Sequence, residues 1–209
     1  LDSVFVEMQF SIDAMLTNLK KDEQKLNEVT DYLFDVLEKR SLFKASEYLS
    51  LKVLNEVSWT INSDLARQLE TYRAMKVGNT APDIVFPTTR VNPTNDFTIH
   101  KLSDLTSNYT LVVFGASWCP KCKEEMPAIA KLYRTWKAQG VEVLLVSLDE
   151  DQKAFYEFTI NYPFISITDL KKWDGTIAKD YYVFGTPTMY LLDKNRKIIL
   201  RPNSVKQMD

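Results

Sequence analysis

All eight prolines and all five glycines of this 209-residue chain lie beyond Met75. The stretch before them has neither breaker, so nothing in it removes a backbone donor or adds the entropy cost of an ordered glycine. Within it apolar residues recur at helical spacing: Val4, Met8, Ile12, Met15 and Leu19, then Leu26, Val29, Leu33 and Val36, then Leu65, Leu69 and Tyr72. The pattern predicts three or four helices, with turns at Lys20–Asp22 and Lys39–Ser41 and a break or capped restart over Ser58–Asp64. The breakers begin with VGNTAPDIVFP, Val77–Pro87. A boundary there divides the chain into a helical N-terminal domain, 1–76, expected to be the end of a longer N-terminal region, and a second domain, 77–209, in which 77–87 is the linker.

Beyond the boundary, strand and helix patterns alternate. FTIHKLSDL, Phe97–Leu105, predicts a short strand and a turn, and YTLVVFGAS, Tyr109–Ser117, a strand covered on both faces. Pro120–Lys137 is expected as a helix, Val141–Asp149 as a second buried strand, and Gln152–Asn161 and Thr176–Tyr182 as further helices. Thr186–Asp193 and Arg196–Arg201 make a hairpin whose tip is Asp193–Asn195. This order gives an α/β fold with a mixed central sheet flanked by helices, preceded by an all-α domain.

Composition removes several function classes. Lys and Arg total 26 against 28 Asp and Glu, and no basic stripe stands out, so a nucleic-acid partner is not expected. With 45% hydrophobic residues the chain can bury a full core without staples. No apolar run approaches the roughly eighteen residues that span a bilayer, and no N-terminal signal peptide is visible. The chain starts at Leu1, not Met, and only PNSVKQMD follows Arg201. Both ends are therefore expected to be cut, which leaves room for a signal, a lipid anchor or a membrane tether outside the sequence.

The only two cysteines, Cys119 and Cys122, sit three positions apart in FGASWCPKCKEEMP, at the expected strand-to-helix junction. Residues so spaced in a first helical turn share a face, with Cα atoms close enough for a disulfide. At the helix N-terminus free N–H groups and the dipole favour a Cys119 thiolate, so Cys119 is the expected nucleophile and Cys122 the resolving thiol. Three blander readings stand beside this one. A structural zinc site lacks ligands, since His100 is the only histidine. A permanent disulfide over so short a loop adds little stability, and two cysteines can also serve as small core residues.

WCPKC after a buried strand, Pro127 five positions past Cys122, and FGTPT opening a later strand resemble the thioredoxin fold. VGNTAPDIVFP and CKEEMP are similar to the TlpA/ResA-like branch, bacterial extracytoplasmic thiol-disulfide oxidoreductases. The resemblance covers about Val77–Arg201 and implies a thioredoxin-like domain with Cys119 attacking and Cys122 resolving. It implies a substrate surface formed by Trp118, Pro120, Lys121, Thr186 and Pro187, with Pro187 in a cis peptide bond and Thr186 offering its backbone to an extended substrate. Glu125, three residues after Cys122, matches an active-site glutamate that carries the Cys122 proton, a role that needs partial burial. Many thioredoxins use an aspartate six residues before the first cysteine, where this chain has Val113. Glu124 is expected to face solvent, Pro127 to kink the helix and His100 to lie at the surface.

The resemblance implies no cofactor and no metal. Its partners are cysteine-containing protein substrates and an upstream thiol-disulfide electron donor or acceptor, in a periplasmic or outer-envelope compartment. The absence of any third cysteine, which an oxidising space would tend to pair wrongly, fits that compartment. Two other classes stand as alternatives: a docking module with a vestigial cysteine pair, and a peroxidase. APDIVFP also resembles the start of peroxiredoxins, but those carry threonine three positions before the reactive cysteine and this chain has Ala116. Copper delivery is a weaker option, since no third soft ligand is evident apart from scattered methionines.

Overall fold

The breaker-free region is helical where the structure describes it. The structure is a computed structural model describing residues 3–40, 42–56, 73–94, 98–183 and 185–208. Helix α1 spans Ser3–Leu19, α2 Glu23–Lys39 and α3 Phe43–Glu56. Asp22 starts α2 by accepting the Lys25 N–H at 3.0 Å, a side-chain cap for an otherwise unpaired donor. Leu26, Thr30, Phe34 and Leu37 form the buried stripe of α2, and Ala45, Leu49 and Val53 that of α3. Asp13 on α1 accepts the Tyr48 hydroxyl at 2.8 Å and pairs with Lys52 at 3.3 Å, tying α1 to α3. The helical pattern at Leu65, Leu69 and Tyr72 and the break at Ser58–Asp64 lie outside the described residues. Among those described, no helix is long and apolar enough to cross a membrane.

The chain forms two compact units, 1–76 and 77–209. In the second, a six-stranded mixed sheet runs in the order β1-β4-β3-β2-β5-β6. Its strands are β1 (Arg90–Val91), β2 (Tyr109–Gly115), β3 (Val141–Ser147), β4 (Ile165–Ile167), β5 (Thr188–Asp193) and β6 (Ile198–Leu200). Central β2 pairs parallel with β3 and antiparallel with β5. Leu111, Val112, Val113 and Phe114 are all fully buried, because helices and loops cover both faces of the central strands. Helix α4, Pro120–Ala138, is the crossover from β2 to β3; α5 is Gln152–Thr159 and α6 Thr176–Asp180. Gly140, at φ 83°, turns the chain from α4 into β3 in a conformation that a side chain rarely adopts.

Beneath α4 the core gathers Leu111 and Val113 of β2, Met126, Ile129 and Trp136 of α4, Val143 and Leu145 of β3, and Met189 of β5. Burying each large side chain of this kind contributes about 1.5–3 kcal/mol relative to leaving it exposed. On the other side of the sheet Phe114 lies 5.2 Å from the Tyr181 ring and 6.4 Å from that of Tyr190. Both hydroxyls are satisfied: Tyr181 donates to the Pro82 carbonyl at 2.7 Å and Tyr190 to the Tyr181 carbonyl at 2.9 Å.

The structure departs from the expected elements in four places. No strand forms over 98–105; Lys101 makes a single bridge to Val85, and Leu102–Asp104 is a 3-10 turn. The cause is Asp104, whose Oδ2 takes the backbone N–H groups of His100 and Lys101 at 2.9 and 3.2 Å and closes the turn. Strands β1 and β4, at two and three residues, were not anticipated. The segment expected as a linker is bonded into the second unit: Gly78 N–H donates to the Ile198 carbonyl and Ala81 N–H to that of Arg196, each at 2.8 Å.

Candidate active site

Strand β2 delivers the chain at Gly115 into a short turn that ends at Cys119, the N-cap of α4. Pro120 follows at the first helical position, where a missing N–H costs nothing. Cys119 has extended dihedrals, φ −87° and ψ 113°, so its side chain folds over the helix start and its Sγ accepts the Cys122 N–H at 3.1 Å. The two cysteines form a disulfide with Cα atoms 5.3 Å apart. Cys122 is fully buried and Cys119 is 4% exposed.

The residues anticipated at distant positions come together here. The peptide bond between Thr186 and Pro187 is cis. The Thr186 carbonyl oxygen lies 3.4 Å from Cys119 Sγ, 67 residues away in sequence. Thr188 Oγ1 donates to the Gly185 carbonyl at 2.8 Å and fastens this turn to the start of β5. Trp118, preceding Cys119 in the chain, is 45% exposed, its ring 5.9 Å from that of Trp173. Lys172 Nζ stands 5.5 Å over the Trp118 ring and pairs with Glu150 at 3.0 Å. Neither Trp173 nor Lys172 was singled out in the sequence, where nothing distinguishes them from other loop residues.

The two glutamates after Cys122 differ in environment. Glu124 is exposed, whereas Glu125 is 6% exposed. Glu125 Oε2 accepts the Val205 N–H at 2.8 Å, and its Oε1 is 3.4 Å from Lys121 Nζ. Lys121, between the cysteines, is exposed and also bonds Glu124 at 3.0 Å. The Glu124 carboxylate foremost, then that of Glu125, holds the Lys121 ammonium above its usual range. The charge of Lys121 is thus engaged with carboxylates. Val113 is fully buried, and His100 is exposed.

The AhpC/TSA family pattern matches residues 77–201. The chain belongs to the AhpC/TSA family. Within that family it is 32% identical over 160 residues to thiol-disulfide oxidoreductase ResA of Oceanobacillus iheyensis, covering 77% of this chain and 80% of the relative. It is 31% identical over 125 residues to the ResA of Geobacillus kaustophilus, covering 60% and 68%. A thioredoxin-like protein from Bacteroides caccae superposes over 98% of this chain and 75% of its own with a TM-score of 0.70 at 18% identity, a likeness of fold. This AhpC/TSA chain is therefore a homologue of ResA-like thiol-disulfide oxidoreductases that carries a CxxC pair, Cys119 and Cys122.

Proposed function

We propose that this chain exchanges two electrons with protein cysteines through its WCPKC segment, Trp118–Cys122. The observation that carries the reading is the position of Cys119 Sγ, which accepts an amide N–H at the start of α4 and faces the Thr186 carbonyl beside cis Pro187. The helix N-terminus and the N–H bond favour a thiolate at that sulfur.

In the reduced state the Cys119 thiolate attacks one sulfur of a substrate disulfide, forming a mixed disulfide and releasing the other substrate sulfur as a thiolate. Cys122, having lost its proton, then attacks Cys119 Sγ. The Cys119–Cys122 bond forms, the mixed disulfide breaks, and the second substrate thiolate leaves. The substrate gains two electrons, and its two thiolates take up one proton that came from Cys122 and one from water; an upstream dithiol restores the enzyme. Glu125 carries the Cys122 proton, and its burial on α4 suits that role. Trp118, Pro120 and Lys121 border the surface on which the substrate chain lies, with the Thr186 backbone alongside. The reaction needs no cofactor. Its setting is extracytoplasmic in a bacterium, periplasmic or at the outer envelope. Ala116, three positions before Cys119, supplies no hydroxyl where peroxiredoxins have threonine, which favours disulfide exchange over peroxide reduction.

The test is insulin reduction with dithiothreitol, followed by mixed-disulfide capture with Cys122→Ser in the native cells. Catalysed reduction with captured partners is expected. A wild-type protein no faster than dithiothreitol alone overturns the reading.

A further inference from the structure

A second buried carboxylate lies under the cysteine turn and has no part in the exchange described above. Asp149 follows β3 and is 1% exposed. Both its oxygens face the Ser117 N–H, at 3.2 Å from Oδ1 and 3.1 Å from Oδ2. Oδ1 also accepts the Ser117 hydroxyl at 2.6 Å, and Oδ2 accepts the Ser147 hydroxyl at 2.6 Å. Thr168 Oγ1 donates to the Asp149 carbonyl at 3.2 Å, which fixes the residue from the β4 side.

Burying a carboxylate is costly unless donors compensate it. Among the described residues Asp149 has no cationic partner. Lys172, over the Trp118 ring, pairs with Glu150, and Lys121, between the cysteines, pairs with Glu124 and Glu125. Its compensation is a set of fixed dipoles, and two of those belong to Ser117, two residues before Cys119. The turn between them is closed by the Cys119 N–H donating to the Ala116 carbonyl at 3.2 Å. Holding Ser117 at both its backbone and its side chain therefore holds the entry to the N-cap, where Cys119 Sγ must meet the Cys122 N–H.

We propose that Asp149 is a positioning residue for Cys119, clamping Ser117 so that the sulfur stays seated on the first turn of α4. The proposal rests on the reading of Cys119 as nucleophile. Its test measures Cys119 alkylation against pH in the reduced full chain, with insulin reduction alongside, for the wild type and for Ser117→Ala, Asp149→Ala and Thr159→Val. Ser117→Ala removes the hydroxyl bond and leaves the carboxylate in place. It is expected to slow Cys119 alkylation near neutral pH roughly three- to tenfold and to move the midpoint to higher pH, as loss of one hydrogen bond in the seating of a thiolate predicts. Asp149→Ala is expected to do more; should it fail to fold, Ser117→Ala carries the test by itself. Thr159→Val removes a different buried hydroxyl bond, 2.7 Å to the Phe155 carbonyl on α5, and is expected to lower stability without moving the profile. An unmoved profile in Ser117→Ala, or an equal movement in Thr159→Val, overturns the clamp. The two readouts separate the proposals. A wild-type protein inactive on insulin whose profile still moves with Ser117→Ala overturns the function and supports the clamp, whereas an active one whose profile does not move overturns the clamp alone.

Discussion

Val205 donates its backbone N–H to Glu125 Oε2 across 2.8 Å, joining the C-terminal 3-10 turn, Val205–Gln207, to α4 one turn beyond Cys122. The bond is buried and spans 80 residues of sequence. Glu125 thus has a structural duty besides the proton-carrying role proposed for it, and two substitutions separate the duties. Glu125→Gln keeps an oxygen for Val205 and removes the charge. Slower disulfide exchange with an altered pH profile is expected, at nearly unchanged melting temperature, while exposed Glu124→Gln does little. Glu125→Ala also strips Val205 of its acceptor and should cost about 1–3 kcal/mol of stability in denaturant titration. Identical kinetics for Glu125→Gln and Glu124→Gln would remove the carboxylate from the mechanism.

The two cysteines should differ sharply once reduced. Cys119 sits at the N-cap with an amide N–H on its sulfur, and Cys122 is enclosed within the helix. Iodoacetamide is expected to modify Cys119 first, with an apparent pKa below the free-cysteine value of about 8.5, and Cys122 far more slowly. Mass spectrometry of partially alkylated protein decides this. Equal rates at the two sulfurs would leave no nucleophile assigned.

Strands β2 and β3 were legible because each is a seven-residue run with six residues buried on both faces, and α4 because its Pro120 start and apolar spacing are local signals. Strand β4 has three residues between Pro163 and Thr168, too few to show alternation, and exists because β3 offers it an edge. Residues 98–105 have the composition of a strand, yet one aspartate, Asp104, turns their donors inward. In the site, Cys119, Cys122, Thr186 and Pro187 belong to short motifs, and the structure brings them together. Asp149 and Val205 were not legible as site neighbours. Their roles come from donors that the fold brings across 32 and 80 residues, and no local pattern marks such a pairing.

Acid should loosen the start of the second unit through Asp83. Burial alone would push this carboxyl up, but the Ser103 hydroxyl at 2.7 Å and N–H at 3.0 Å, with Arg196 and the Ile84 N–H, outweigh it and hold the pKa below its ordinary value of 3.8. A lowered folded-state pKa contributes stability above the unfolded value, and that contribution is lost as pH falls below 3.8 through the folded value. The group is largely solvated, so the effect stays below about 1 kcal/mol. Asp83→Asn should melt slightly lower than the wild type at pH 7, and the gap should narrow as pH falls below 3.8. A gap that widens in acid would reverse the assigned sign.

Gly78 and Ala81 bond to the β5–β6 hairpin, and Ala81, Ile84 and Phe86 are buried, so a fragment that keeps them retains its own core. Expressed alone, residues 77–209 should melt cooperatively and still reduce insulin. A fragment that starts at Thr88 loses those anchors and should be less stable by several kcal/mol, at about 1.5–3 kcal/mol for each large side chain removed from the core. The helical unit is then tested by comparing partner capture between the full chain and 77–209, each with Cys122→Ser. Insulin reduction with lost capture would assign the helices to partner selection, and equal capture would make them a spacer. An insoluble or inactive 77–209 would mean that the boundary at Val77 does not mark an independent folding unit.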